Sequence, residues 1–212
     1  YRWSGHSKSE GQKGIFQGIM KHGAPLFKRI YDDVNKAIDW VVSHDDLVDP
    51  NRIAIVGFSF GGSIALSKNV MEDTRVKTII AGCAVHDFAL NWRKLVLQGP
   101  FYIRLMGKLI GANIKRNTGL NLNQFLDALS EFTPAASYPK ITKDIPPNNS
   151  RVFLAHCKDD EVVNYEMNFV KNKAMLDLSD ENCLVFETGG HEFLNNTNAL
   201  GAWMLFKLHN NL

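Results

Sequence analysis

The sequence predicts an α/β protein in which a mostly parallel sheet is flanked by helices. Short apolar runs without polar alternation recur along the chain, as expected of strands that are covered on both faces, and amphipathic helical segments separate them. These runs are Ile53–Val56, Val76–Ala84, Val152–Ala155 and Leu184–Phe186. With 212 residues, 45% of them apolar, the chain is expected to form one domain over 1–212.

Helical spacing of apolar residues accounts for the segments between and after these strands. The first helix is predicted from Val34, Ala37, Ile38, Val41 and Val42, and two later ones lie within Tyr165 to Leu178 and Ala199 to Leu208. Between residues 86 and 146 no strand is predicted. Here the apolar residues fall at helical spacing, namely Leu122, Phe125, Leu126 and Leu129. We therefore expect a helical cap inserted over about 86–146.

Charge and composition argue against two classes of partner. The 24 basic and 22 acidic side chains give a formal charge of +2, so no strong field draws the chain to nucleic acid. No apolar run approaches the roughly 18 residues of a membrane helix, so no membrane partner is expected. The three cysteines, Cys83, Cys157 and Cys183, lack metal-ligand spacing and predict free, mostly buried thiols in a reducing, cytoplasmic compartment.

The segment Gly57-Phe58-Ser59-Phe60-Gly61-Gly62 follows the first predicted strand directly and leads into a helix. A strand, a sharp turn and a helix are what a nucleophile elbow requires. Ser59 is therefore the candidate nucleophile, and the backbone N–H of Phe60 is a candidate oxyanion donor. The alternative is a glycine-rich turn that holds a phosphate at the helix N-terminus.

A serine hydroxyl needs a base within hydrogen-bond reach and an acid that orients the base. His191 follows two glycines in the loop after the last strand, so it is the candidate base. The preceding strand leads into three carboxylates, of which Asp160 is the candidate acid because two valines shield it. Asp159 and Glu161 are interpreted as solvated neighbours, and His156 as a structural residue. An ordinary acidic surface turn is the alternative.

The chain order Ser59, Asp160, His191 matches the α/β-hydrolase arrangement and excludes the chymotrypsin and subtilisin orders. Five motifs resemble the branch of that superfamily that includes cinnamoyl-esterase-like, dienelactone-hydrolase-like and prolyl-oligopeptidase-like enzymes. Gly5–Gly11 resembles its G-H-G-x-S-x-G loop with Ser7 in place of a glycine, and His156–Val163 resembles H-G-x-x-D-x-x-V with Cys157 in place of a glycine. The other three are Arg52–Gly62, Thr133-Pro134 and Gly189-Gly190-His191.

The resemblance implies that Ser59 is the nucleophile, Asp160 the orienting acid and His191 the base. It also implies that the first strands of the sheet, and the loop with the second oxyanion amide, precede the Gly5–Gly11 motif. We expect these to lie upstream of Tyr1 in the natural protein, the alternative being a truncated and inactive relative. Truncation would expose an edge strand and favour aggregation, so we prefer the first interpretation.

We predict a serine hydrolase that cleaves a small-molecule carboxylic ester through an acyl-enzyme, and no metal or organic cofactor is implied. Alternatives are a peptidase or thioesterase on the same scaffold and a non-catalytic binding protein with this fold. Cap residues are predicted to wall a substrate pocket, although for each single residue packing in a second hydrophobic cluster is the better explanation. These are Trp92, Phe101, Tyr102, Leu105, Phe125 and Leu129.

Overall fold

The computed structural model describes residues 21–44, 46–98, 101–141 and 149–212. The chain divides into two compact units. One, here called the helical unit, comprises Tyr1–Trp40 and Phe88–Phe132, and the other, the sheet unit, comprises Val41–Asp87 and Thr133–Leu212. The Gly5–Gly11 motif lies outside the described residues.

The sheet unit contains four strands, each of which overlaps one of the predicted apolar runs. They are β1 (Ile53–Phe58), β2 (Val76–Gly82), β3 (Val152–Cys157) and β4 (Cys183–Phe186). β2 ends two residues before the end of its predicted run, Val76–Ala84. All neighbouring pairs are parallel, in the order β1-β2-β3-β4. In the register, Phe58 lies opposite Gly82, and Cys157 lies opposite Phe186. The carboxyl ends of the strands therefore meet at one edge, where the connecting loops bring side chains together.

The described residues also form helices before, between and after these strands. They are α1 (Ala24–Val42), α2 (Phe60–Ala65), α3 (Lys68–Glu72), α4 (Phe88–Gln98), α5 (Phe101–Thr118), α6 (Leu122–Ser130), α7 (Pro134–Ile141), α8 (Tyr165–Met175) and α9 (Thr197–Asn211). None of the helices within the described ranges is long and apolar enough to cross a membrane.

Helices cover both faces of the sheet, as the apolar runs predict. Successive side chains of a strand point to opposite faces, and β3 shows this clearly. The ring of Phe153 packs edge-on against Trp203 of α9, whereas the ring of His156 packs against Phe169 of α8. Residues 153 and 156 differ by an odd number, so α8 and α9 lie on opposite faces. β3 is fully buried, β2 is buried except at Lys77, and β4 is half-buried, whereas Val56 and Phe58 of β1 are exposed.

The helical unit has its own aromatic core. Leu26 and Phe27 of α1 are buried, and the Phe27 ring packs against Phe88 at 5.6 Å and Phe132 at 5.7 Å between centroids. The side chain of Asn121 caps α6 by accepting a hydrogen bond from the backbone N–H of Gln124. The ring contacts of Phe27 and the capped N-terminus of α6 both stabilise the helical unit.

The stretch predicted as a cap is helical wherever it is described. Helices α4, α5 and α6 belong to the helical unit, whereas α7, which begins at Pro134, belongs to the sheet unit. On α6, Phe125, Leu126 and Leu129 are buried, in agreement with the helical spacing. The assignment of this stretch as a cap stays a prediction.

Candidate active site

Ser59 lies in a sharp turn between β1 and α2. Its backbone has φ 55° and ψ −120°, a conformation that side-chain-bearing residues rarely adopt. A Cβ atom on Gly57 would stand 2.1 Å from the carbonyl oxygen of Gly61, and one on Gly62 would stand 2.8 Å from the carbonyl oxygen of Gly82. Only glycine fits at these positions, so the strand and the helix approach closely enough to form the turn that holds Ser59.

A buried serine fixes the helix that follows this turn. The Ser63 hydroxyl donates a hydrogen bond to the carbonyl oxygen of Val85 at 3.0 Å and accepts one from the Val85 N–H at 2.9 Å. Ser63 is fully buried, so its hydroxyl has its partners within the protein. These bonds connect α2 to the segment after β2 and fix the direction of the helix that begins at Phe60.

Asp160 lies three residues beyond β3, and its side chain is fully buried. One carboxylate oxygen, Oδ1, accepts hydrogen bonds from the backbone N–H groups of Val162 at 2.9 Å and Val163 at 2.8 Å. His156 Nε2 donates to the carbonyl oxygen of Val163 at 2.8 Å, and burial lowers the pKa of His156. A neutral His156 thus stabilises the turn that presents Asp160, which agrees with its predicted structural role.

The second carboxylate oxygen of Asp160, Oδ2, lies 2.8 Å from His191 Nδ1, and His191 Nε2 lies 3.0 Å from the Ser59 hydroxyl oxygen. Because a carboxylate only accepts, Nδ1 carries the proton, and the lone pair of Nε2 faces the hydroxyl. The hydrogen bond to Asp160 is the largest cause that raises the pKa of His191, and the neighbouring Cys83 is the second largest. The structure therefore brings the three predicted residues into one hydrogen-bonded chain.

The loop that carries His191 is held by an aspartate that the sequence analysis interpreted as a solvated neighbour. The carboxylate of Asp159 accepts the backbone N–H of Gly189 at 3.1 Å and that of Gly190 at 2.8 Å. Both glycines have positive φ angles, 135° and 61°. The amides of Gly190 and Gly189 lower the pKa of Asp159. Asp159 is therefore exposed, as the sequence analysis interpreted it, but it also binds the histidine loop, a role that the sequence analysis did not predict.

A buried aromatic residue anchors the other end of the same loop. Phe193 is 3% exposed and has φ 55°. Its ring packs edge-on against Phe58 of β1 at 5.9 Å and against Phe186 of β4 at 6.2 Å between centroids. His191 therefore lies between two fixed points, the glycine amides held by Asp159 and the buried ring of Phe193.

Cys83 is the other neighbour that sequence reasoning missed. It is buried and follows β2 directly. Its sulfur, a carboxylate oxygen of Asp160 and a ring nitrogen of His191 all lie within 4.8 Å of one another. The sequence feature that could have identified Cys83 as a neighbour of the site is its position at the carboxyl end of a strand, where the loops of a parallel sheet converge.

The remaining predicted residues lie on known elements. Phe60 is the first residue of α2, directly after Ser59, and its role as an oxyanion donor stays a prediction. Trp92 lies on α4 and Tyr102 on α5, both in the helical unit. On the same unit Phe101 is exposed and Phe125 is buried. The predicted pocket formed by these residues likewise stays a prediction.

A parallel sheet covered by helices on both faces, with a serine elbow after β1, an acid after β3 and a histidine after β4, defines an α/β-hydrolase fold. Residues 26–209 match the prolyl oligopeptidase family, and the chain belongs to that family.

Solved structures with the same fold include both esterases and peptidases. Acetyl xylan esterase 1 from Thermoanaerobacterium sp. JW/SL YS485 is 18% identical with a TM-score of 0.57, and the match covers 90% of this chain and 56% of that one. Acylaminoacyl peptidase from Pyrococcus horikoshii is 15% identical with a TM-score of 0.56, over 88% of this chain and 28% of that one. At these identities the likeness concerns the fold alone.

Among curated proteins, the chain is similar to esterase FrsA from Vibrio vulnificus strains YJ016 and CMCP6. In each case the match is 26% identical over 68 residues, which is 32% of this chain and 16% of the relative. The chain thus matches only about a sixth of the length of these relatives.

Proposed function

We propose that the chain is a serine hydrolase that cleaves carboxylic esters through an acyl-enzyme. The observation that carries this proposal is the continuous hydrogen-bonded chain from the Ser59 hydroxyl through His191 to the buried carboxylate of Asp160, with distances of 3.0 Å and 2.8 Å. Membership of the prolyl oligopeptidase family supports hydrolytic chemistry.

In this mechanism, the hydroxyl oxygen of Ser59 attacks the ester carbonyl while its proton passes to His191 Nε2. The imidazolium that forms is stabilised by Asp160, and the raised pKa of His191 reflects the same interaction. His191 then gives the proton to the leaving alcohol, and water hydrolyses the acyl-serine by the reverse sequence of proton transfers. The backbone N–H of Phe60 stabilises the oxyanion of the tetrahedral intermediate.

A peptidase is the second candidate, because the matched solved structures include an acylaminoacyl peptidase and a puromycin-hydrolyzing peptidase from Mycobacterium tuberculosis. An esterase and a peptidase would use the same three side chains, so the site geometry does not separate them. We favour the ester because both curated relatives are esterases. Amide cleavage additionally requires protonation of a poorer leaving group.

A fluorophosphonate probe tests whether Ser59 is activated. The probe reacts when the serine oxygen bonds to phosphorus and fluoride leaves, so labelling reports nucleophilicity without any assumption about the substrate. We expect the wild-type chain to be labelled at Ser59 and the Ser59→Ala variant to remain unlabelled. Ser179→Ala, which removes an exposed hydroxyl outside the site, is the matched control and should be labelled as the wild type is. Equal labelling of the Ser59→Ala variant would rule out this nucleophile.

A substrate panel tests the class of bond. We expect the chain to hydrolyse p-nitrophenyl acetate or butyrate faster than an acyl thioester or a peptide anilide. Removal of the nucleophile in Ser59→Ala should lower kcat on the preferred substrate by about 10⁶-fold. Faster cleavage of the anilide would favour the peptidase, faster cleavage of the thioester would favour the thioesterase, and no fluorophosphonate labelling of the full-length protein would favour a binding protein.

We also propose that the protein works in a reducing compartment such as the cytoplasm. All three cysteines are free, and Cys83 and Cys157 are buried. Burial raises the pKa of Cys157 to about 11, which keeps this thiol protonated and slow to oxidise.

A further inference from the structure

The thiol of Cys83 lies beside the hydrogen-bonded chain of Ser59, His191 and Asp160 but has no part in ester hydrolysis. Cys83 is 1% exposed, and its backbone has φ 38°. Its backbone N–H donates to the carbonyl oxygen of Ala155 at 2.8 Å, which continues the ladder between β2 and β3 by one residue. The backbone thus fixes this thiol at the same edge of the sheet as the Asp160 turn and the His191 loop.

Three kinds of metal ligand meet at this point. The Cys83 sulfur, a carboxylate oxygen of Asp160 and a ring nitrogen of His191 lie within 4.8 Å of one another. Thiolate, imidazole and carboxylate are the donors that Zn²⁺ prefers, whereas Mg²⁺ and Ca²⁺ prefer oxygen donors alone. The donors of a tetrahedral zinc ion stand about 3.5 Å apart, so side-chain movements of about 1 Å bring these three into position.

We propose that Cys83, Asp160 and His191 bind a thiophilic divalent cation, Zn²⁺ or Cd²⁺, and that the bound ion inhibits the enzyme. The ion acts as an inhibitor rather than a cofactor. On binding, a metal–sulfur bond replaces the S–H bond of Cys83, and the released proton passes to water. The charge of the ion is neutralised in part by the thiolate and the carboxylate, and no oxidation or reduction takes place.

Inhibition follows from the two hydrogen bonds of His191. An ion on Nδ1 replaces the N–H that this nitrogen donates to Asp160, and the ring proton moves to Nε2, so no lone pair faces the Ser59 hydroxyl. An ion on Nε2 takes that lone pair directly. In either case the imidazole no longer accepts the serine proton. This consequence rests on the proposed function, whereas binding of the ion does not.

Of the three side chains, that of His191 is the one that solvent reaches among the described residues. It is 24% exposed, whereas Asp160 and Cys83 are buried. Mg²⁺ and Ca²⁺ prefer oxygen ligands, so the thiol and the imidazole add little to their binding. The selectivity expected of the site is therefore for Zn²⁺ and Cd²⁺.

Titration of the full chain with Co²⁺ tests binding independently of activity. Co²⁺ occupies zinc sites, and a bound thiolate produces an intense charge-transfer band in the near ultraviolet. We expect this band in the wild type and in Cys157→Ala, which removes the nearby buried thiol that lies outside the cluster. We expect no band in Cys83→Ala or in Cys83→Ser. Circular dichroism establishes that each variant is folded. A band of wild-type intensity in both Cys83 variants would overturn the proposal.

Inhibition is measured by fluorophosphonate labelling and ester hydrolysis with and without ZnCl₂. We expect Zn²⁺ and Cd²⁺, but not Mg²⁺, to block both reactions, and EDTA to restore them. Each variant is compared with its own metal-free rate, and the half-inhibitory Zn²⁺ concentration should rise at least tenfold in Cys83→Ala but not in Cys157→Ala. Equal sensitivity of the two variants would contradict the proposal. If the metal-free wild type is not labelled, the proposed function fails, and the Co²⁺ band alone decides the metal site.

Discussion

The two turns that present Ser59 and His191 differ in their local constraints. In the serine turn, backbone atoms of β1, β2 and α2 come so close that a Cβ atom fits on neither Gly57 nor Gly62. In the histidine loop, a Cβ on Gly190 would meet no atom within 4 Å, and the loop depends on a distant segment, in which Asp159 accepts the N–H groups of Gly189 and Gly190. The hydrogen bonds from Gly189 and Gly190 to Asp159 are here called the polar clamp. A steric constraint such as that at Gly57 can be recognised from neighbouring residues in the sequence, whereas the polar clamp requires a partner elsewhere in the chain.

The largest effect is expected from a methyl group in the serine turn. In Gly57→Ala the new Cβ would stand 2.1 Å from the carbonyl oxygen of Gly61, which is backbone and cannot move aside. We expect the free energy of unfolding to fall by about 3 kcal/mol or the chain to misfold. Urea denaturation followed by circular dichroism measures this change.

The matched control lies in the histidine loop. A Cβ on Gly190 meets no atom within 4 Å, so Gly190→Ala is disfavoured only by its φ of 61°. We expect a cost of about 1 kcal/mol. Equal losses for Gly57→Ala and Gly190→Ala would contradict the contrast between the two turns.

The Gly57→Ala effect concerns stability; among the effects on the rate below, the largest is expected when the histidine loses its orienting charge. Asp160→Asn preserves the size of the side chain but offers the wrong partner to His191 Nδ1, so the imidazole no longer presents its lone pair to Ser59. We expect kcat to fall by about 10⁴-fold. The control is Glu161→Gln, which changes an exposed carboxylate next to it and should keep the wild-type rate. A loss of less than tenfold in Asp160→Asn would remove this residue from the mechanism.

A smaller effect is expected when the polar clamp is removed. Asp159→Ala leaves the N–H groups of Gly189 and Gly190 to water and frees the loop that positions His191. Since displacement of a catalytic group by about 1 Å lowers the rate by about 10²-fold, we expect kcat to fall by 10- to 100-fold. KM should change little, because Asp159 acts through the loop.

Partial rescue separates positioning from general destabilisation. Asp159→Asn keeps one carbonyl oxygen as an acceptor and should recover part of the lost kcat, whereas Glu161→Ala is the control for loss of an exposed negative charge. A wild-type kcat in Asp159→Ala would show that the hydrogen bonds from Gly189 and Gly190 to this carboxylate do not position His191.

The smallest effect concerns the pH profile of kcat/KM. The hydrogen bond to Asp160, and next Cys83, hold the pKa of His191 above its ordinary value of 6.5. Because His191 accepts a proton only when it is neutral, we expect kcat/KM to rise with pH through a midpoint above 6.5. Cys83→Ala removes one of these influences, so the midpoint should fall below that of the wild type.

Cys157→Ala is the control for this measurement, since its thiol is buried outside the cluster formed by Cys83, Asp160 and His191. Its midpoint should equal that of the wild type. A midpoint at or below 6.5 in the wild-type chain would mean that the acid does not support the imidazolium.

The sequence predicted well what depends on local patterns. Apolar runs without alternation gave the positions of β1 to β4, and β1 was predicted as Ile53–Val56 and extends to Phe58. The glycine spacing around Ser59 indicated a turn that only glycines permit. The chain order Ser59, Asp160, His191 matched the α/β-hydrolase arrangement, and each residue was chosen for its place after a predicted strand.

The sequence alone therefore determined the strands, the serine turn and the identity of three candidate side chains, because steric and hydrophobic preferences act between near neighbours in the chain. Only the tertiary structure decided that Asp159 binds the histidine loop 30 residues away and that Cys83 lies beside a histidine 108 residues away. Such contacts depend on the register of β2, β3 and β4, and no local pattern of residues records which loop a side chain will meet once the sheet has formed.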